Sequence, residues 1–231
     1  MDYTVQSTAR GFRLVQHGVV LSEVLQQPGP THSVFDVLAA LAFLLKPEEP
    51  VGLLGFAAGS LMAPLRWISP GTPVRAVDLD DAGFALFREV CWAWAGDMTW
   101  EQGDAVQWLE RQYYHFPVLI DDLSVPLDGD VVKPSASGDV LPALMQRKMV
   151  PKGVVISNFL RPGIGGWSGI YGQFRRLHRA VRVVVLEDFE NRILLGGESL
   201  PSARYISAKL KSVLGHLGSR QAGRTGVQTV L

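Results

Sequence analysis

This sequence has one cysteine in 231 residues, no excess of either charge and no long apolar run. The lone Cys91 excludes an intrachain disulfide and a zinc–thiolate cluster. Set between Val90 and Trp92, it reads as a buried thiol, because a reactive cysteine needs an electropositive, accessible setting. Basic and acidic residues balance at 22 each, so nothing draws the chain to a phosphate backbone or an anionic bilayer, and neither nucleic acid nor membrane is expected as a partner. The longest apolar stretch, Val37 to Leu45, falls far short of the roughly 20 residues of a membrane span. Met1-Asp2-Tyr3-Thr4 carries an acid and no apolar core, so no secretory signal is expected. The five histidines show no metal-ligand spacing, and no metal site is expected. A soluble cytoplasmic protein fits these absences.

What is present is enough apolar residue, 47%, for one sizeable core. From Pro50 onward short β-rich runs alternate with stretches of helical period, the pattern of a parallel sheet covered by helices. Strands are expected at 51–55, 74–78, 98–102, 117–120 and 153–157, with helices between them. Val181–Leu186 and Asn191–Gly196 close the sheet as an antiparallel hairpin. The expected architecture is a seven-stranded Rossmann-like α/β sheet in residues 31–214. A small β-hairpin within residues 1–30 precedes it, turning at Gln16-His17-Gly18. Residues 215–231, rich in Gly, Ser, Arg and Gln, are expected to be disordered. Asp128 to Gly138 forms a long polar loop, and Gly165-Gly166 before Trp167 suggests a lid.

In such a sheet ligands sit beyond the carboxyl ends of the strands. Those ends carry Gly55-Phe56-Ala57-Ala58-Gly59-Ser60, then Asp78-Leu79, then Gly103-Asp104-Ala105, then Asp121-Asp122. A glycine turn lets the backbone approach a nucleotide, and an acid after the next strand can accept from two ribose hydroxyls; Gly55 and Asp78 are 23 positions apart. Asp104 can accept from an adenine amino group. No Gly-Lys-Ser/Thr is present, and the turn lacks the middle glycine that admits a pyrophosphate. An unphosphorylated adenosyl group therefore fits better than NAD, and an NAD-dependent oxidoreductase is the weakest alternative.

These residues resemble the spermidine synthase family, the polyamine aminopropyltransferases, which share the fold of S-adenosylmethionine-dependent methyltransferases. Val51 to Ser60 resembles the family's strand and glycine loop, Val77-Asp78-Leu79-Asp80 its V-E-I-D, Gln102 to Leu109 its G-D-A-x-x-F-L, and Val118 to Pro126 its D-V-I-I-x-D-S-S-D-P. The resemblance implies S-adenosylmethionine or its decarboxylated form as donor, held by Gly55, Phe56, Ala57, Gly59, Asp78, Leu79, Asp104 and Ala105. It also implies a small-molecule acceptor such as an amine, and a homodimer. Asp122 or Asp121 is the candidate base or amine anchor, with Asn158 and Trp167 as substrate walls.

The sequence departs from the family in its amine half. Val125 stands where the last motif's second acid is expected, the position the resemblance implies deprotonates the amine. Ala58 replaces an acid of the glycine loop, the family's Tyr-His-Glu is reduced to Asp36, and Leu21 stands where a glutamine is expected. Two readings follow: a transferase acting on a small molecule, or a non-catalytic nucleoside-binding or assembly module of the same fold.

Overall fold

The central strands are apolar on both faces, as strands covered by helices on both sides must be. In the computed structural model, which describes residues 3–16, 18–127, 130–160, 162 and 166–230, they form one mostly parallel sheet. Strands β4 (Val51–Leu54), β5 (Val74–Asp78), β6 (Met98–Gln102), β7 (Phe116–Asp121) and β10 (Met149–Phe159) run parallel. They are joined by β11 (Ala180–Leu186), β12 (Arg192–Gly197) and β13 (Thr225–Thr229) in the order β13-β11-β12-β10-β7-β4-β5-β6.

Side chains alternate across these strands. Val118 and Ile120 of β7 enter one apolar cluster while Leu119 enters the other. Helices α1 (Val34–Leu45), α2 (Met62–Ile68), α3 (Ala82–Cys91) and α8 (Ala203–Leu217) cover the first face, where Val37, Leu38 and Leu41 are fully buried. Helices α4 (Ala105–Arg111), α6 (Leu141–Arg147) and α7 (Gly166–Leu177) cover the second. Among the described residues no helix is long and apolar enough to cross a membrane.

Three expectations are revised. The sheet has eight strands, not seven. The N-terminal hairpin, β2 (Gly11–Gln16) and β3 (Val19–Leu25), gains β1 (Tyr3–Thr8) as a third antiparallel strand, while His17 at its turn lies outside the described residues. The tail expected to be disordered is ordered. Gly218 caps α8 at φ 76, and Thr225–Thr229 pairs antiparallel with β11, satisfying main-chain groups on an otherwise open sheet edge. An edge strand needs little apolar residue, so composition did not reveal it.

The polar loop after β7 is partly structured. β8 (Val125–Leu127) and β9 (Asp130–Val132) pair as a hairpin, followed by the short helix α5 (Ser135–Gly138). Gly165 lies outside the described residues, and Gly166 opens α7. Cys91 is buried, bonded to the Leu25 carbonyl, and burial pushes its thiol up to about 12.

Candidate functional site

A cavity of about 630 Å³ opens at the carboxyl ends of β4, β5 and β7, between them and the N-terminal sheet. Strand parity decides which side chains reach it. Ala76, Ile120, Ile156 and Ile193 all lie in the cluster under α1, so Asp78, Asp122, Asn158 and Asn191, two residues away along their strands or strand ends, lie on the same face. All four line the cavity.

The glycine loop is built by close approach. Gly55 has φ +89, and a Cβ there would stand 2.8 Å from the Asp122 carbonyl oxygen. Gly83 of α3 lies so near the loop that its Cβ would fall 2.1 Å from the Ala57 carbonyl oxygen. Asp78 Oδ2 accepts from the Phe56 and Ala57 amides at 2.6 and 2.7 Å, and its Oδ1 from the Asp80 amide at 3.3 Å. One carboxylate oxygen thus shapes the loop, leaving the other weakly held. Phe56 sends its ring into the core against Phe84 and Phe87. Gly59 does not line the cavity; its amide closes the turn on the Phe56 carbonyl at 2.8 Å.

Asp104 caps α4, accepting from the Gln107 amide at 2.9 Å, and Ala105 and Val106 form an apolar floor beside it. Leu79, 63% exposed, stands at the rim of the cavity.

At the end of β7 the paired acids separate. Asp122 accepts from Asn158 Nδ2 at 2.8 Å, and Asn158 Oδ1 accepts from Asn191 Nδ2 at 3.0 Å. Burial pushes the Asp122 carboxyl up to about 6; the charges of Asp121 and Asp78 add to this, while Lys133 and the Asn158 hydrogen bond oppose it. Asp121 points to the opposite face. It is buried, pairs with Lys133 Nζ at 2.7 Å, and accepts from the Leu123 amide and the Ser137 hydroxyl. It does not line the cavity, and neither does Trp167, which lies against Tyr171 and under Arg192.

The remaining wall comes from residues that the sequence reading passed over. Tyr3 of β1 hydrogen-bonds Asp80, and burial with the Asp80 and Asp78 charges raises its phenol to about 12. Arg13 and Glu23, opposite one another on β2 and β3, pair at 2.8 Å. Ser22 meets Ser60 at 2.6 Å and accepts from the Ala58 amide, clasping the hairpin to the glycine loop. Ala58 is fully buried, and Asp36 is turned away from the cavity into four hydrogen bonds, from Thr31 (twice), His32 and Ser219. Only residue spacing across three separate strands could have indicated the N-terminal contribution.

No family model matches this chain, and no curated protein matches it in sequence. Solved structures do. A probable spermidine synthase from Corynebacterium glutamicum superposes with a TM-score of 0.76 at 15% identity, covering 99% of this chain and 87% of its own. The fold is the one shared by spermidine synthases and methyltransferases. Human methyltransferase-like protein 13, solved in complex with SAH, superposes at 0.65 with 15% identity, over 81% of this chain and 92% of its own. A spermidine synthase in complex with the transition-state analogue AdoDATO superposes at 0.66 with 10% identity, over 86% and 71%.

Proposed function

We propose that the cavity binds an adenosyl sulfonium, S-adenosylmethionine or its decarboxylated form, and that the protein transfers an alkyl group from it to a small-molecule acceptor. The observation that carries this reading is the charge of the wall. The described lining residues include five carboxylates, Glu23, Asp78, Asp80, Asp104 and Asp122, and one guanidinium, Arg13, which Glu23 already neutralises. A concave site of one sign concentrates ligands of the other.

The residues fit such a ligand. Asp78 Oδ1, which accepts only a long bond from the Asp80 amide, can take ribose hydroxyls, Leu79, Ala105, Val106 and Leu123 offer apolar surface for adenine, and the second Asp104 oxygen can accept its amino group. When bound, a sulfonium supplies an electrophilic carbon with a neutral thioether as leaving group. The donor's own carboxylate would find little to hold it. The Phe56 and Ala57 amides already serve Asp78, and Arg13 serves Glu23. This favours the decarboxylated donor.

Asp122 is the group placed to hold an acceptor's hydrogen-donating head. Asn158 and Asn191 fix its orientation, and with its carboxyl raised to about 6 it is ionised at neutral pH yet basic enough to take a proton. Asp121 has no such role, being committed to Lys133. A non-catalytic nucleoside-binding module is the second reading, favoured by Val125 and the buried Ala58, which stand where the family pattern has acids.

Calorimetric titration with methylthioadenosine and S-adenosylhomocysteine tests the nucleoside reading. Both should bind, methylthioadenosine more tightly; tighter binding of S-adenosylhomocysteine would point to a donor that keeps its carboxylate. Turnover with a sulfonium donor and an amine, lost in Asp122→Asn, would separate the transferase from the module.

A further inference from the structure

Beyond Asp122 the cavity changes character. Its wall is then made by Val125 and Val131 from the β8–β9 hairpin, by Pro134 and Ala136 before and within α5, and by Leu160 and Phe189 from the ends of β10 and β11. Chain adjacency places these groups together. Val125 is three residues past Asp122, Leu160 two past Asn158, and Phe189 two before Asn191, while Asp122, Asn158 and Asn191 are themselves hydrogen-bonded in a row. A hydrogen-bonding cluster thus sits at one end of an apolar enclosure.

We propose that this half of the cavity takes a monoamine with an apolar body, its nitrogen on Asp122 and its hydrocarbon between the β8–β9 hairpin and the β11–β12 turn, rather than a diamine. The inference deepens the proposed function and rests on it. The physical argument is one of desolvation. A second ammonium carried along the chain of a diamine would have to leave water for a stretch of wall, Val125, Val131, Pro134, Ala136, Leu160 and Phe189, whose side chains carry no carboxylate; the five carboxylates of the lining all come from other positions. A hydrocarbon placed there gains instead, by about 25 cal/mol for each Å² removed from water. Specificity of this kind comes as much from what the wall rejects as from what it holds. The relay adds direction: Asn158 gives a hydrogen to one Asp122 oxygen, so the second is the one left to meet the acceptor.

The experiment is competitive calorimetry at pH 7.5 on the full chain, first with methylthioadenosine, then with n-pentylamine, benzylamine and putrescine on the liganded protein. The monoamines are expected to bind at least ten-fold more tightly than putrescine. Val125 is 39% exposed, so Val125→Asp should fold, and it is expected to shrink or invert that ratio by improving putrescine. Phe189→Ala is expected to weaken the monoamines about five-fold and leave putrescine unchanged. Equal or tighter putrescine binding to the unmodified protein would overturn the proposal, as would silence from every amine while methylthioadenosine binds. If methylthioadenosine itself gives no heat, the nucleoside reading fails; the amines are then titrated into the unliganded protein, where the same ratios decide for or against the acceptor assignment.

Discussion

The hydroxyl of Ser219 donates to the Asp36 carboxylate at 2.6 Å, joining residues 183 positions apart. Asp36 also accepts from the Thr31 and His32 amides, and Thr31 and Ser33 line the cavity. Gln221 Nε2 extends the link to the His32 carbonyl and to Asp188, the chain neighbour of Phe189, which also lines the cavity. The chain's end therefore ties together two loops that enclose the site.

Ser219→Ala should lower stability by about 1–2 kcal/mol, the cost of leaving a buried carboxylate short of a donor. Hydrogen exchange at the Thr31 and His32 amides should accelerate with it. Unchanged protection at both would show that the tail rests on these loops without holding them.

Asp122 carries a pH signature. Its folded pKa of about 6 lies above the ordinary 3.8, so between these values the folded chain binds more protons than the unfolded one. The sign follows: Asp122 makes no penalty below about pH 4, and its destabilising effect is complete above about pH 6. Asp122→Asn, whose carbonyl can still accept from Asn158, should be about 1 kcal/mol more stable than the parent at pH 7.5 and equal to it at pH 3.5. Denaturant midpoints at the two pH values measure this, and a difference that does not change with pH would refute it.

The two neighbouring acids can be told apart by their partners. Lys133→Met should cost about 3 kcal/mol, because it strands Asp121 as a buried, unpaired carboxylate. Its effect on methylthioadenosine affinity should be under two-fold. A large loss of affinity with stability intact would return Asp121 to the site.

Arg66 is a buried cation held by three carbonyls, those of Thr72, Ala95 and Asp97, that tie α2 to the loops entering β5 and β6. Burial lowers its pKa, though it stays charged. Arg66→Lys cannot reproduce the guanidinium fork and should destabilise by about 2–3 kcal/mol in thermal or denaturant unfolding. Neutral behaviour would mean that the carbonyls find water instead.

How much of this was legible in the sequence depends on the residue. Alternating apolar runs with acids at their ends revealed the parallel sheet, because strand and helix periods differ and are local. The position of Asp78 and Asp104 at strand ends on the cavity was legible for the same reason. Asp121 and Asp122 were not separable, since β7 is apolar on both faces and adjacent hydrophobic residues give no hint of which side is the cavity. Asn191 and Tyr3 reach the site through pairings distant in sequence, where no local pattern exists. The strand Thr225–Thr229 is not legible in the tail because a strand at a sheet edge is held by main-chain bonds, to which composition is blind.

Asp78 braces the glycine loop through the Phe56 and Ala57 amides and, in the proposed function, is the residue that takes the ribose. Titration of the parent and Asp78→Ala with methylthioadenosine is the measurement that decides it. The predicted result is binding by the parent and at least a ten-fold loss in the variant, with Asp78→Asn intermediate because its carbonyl can still accept the loop amides. Absence of binding to the parent, or equal affinity in Asp78→Ala, would contradict the nucleoside site.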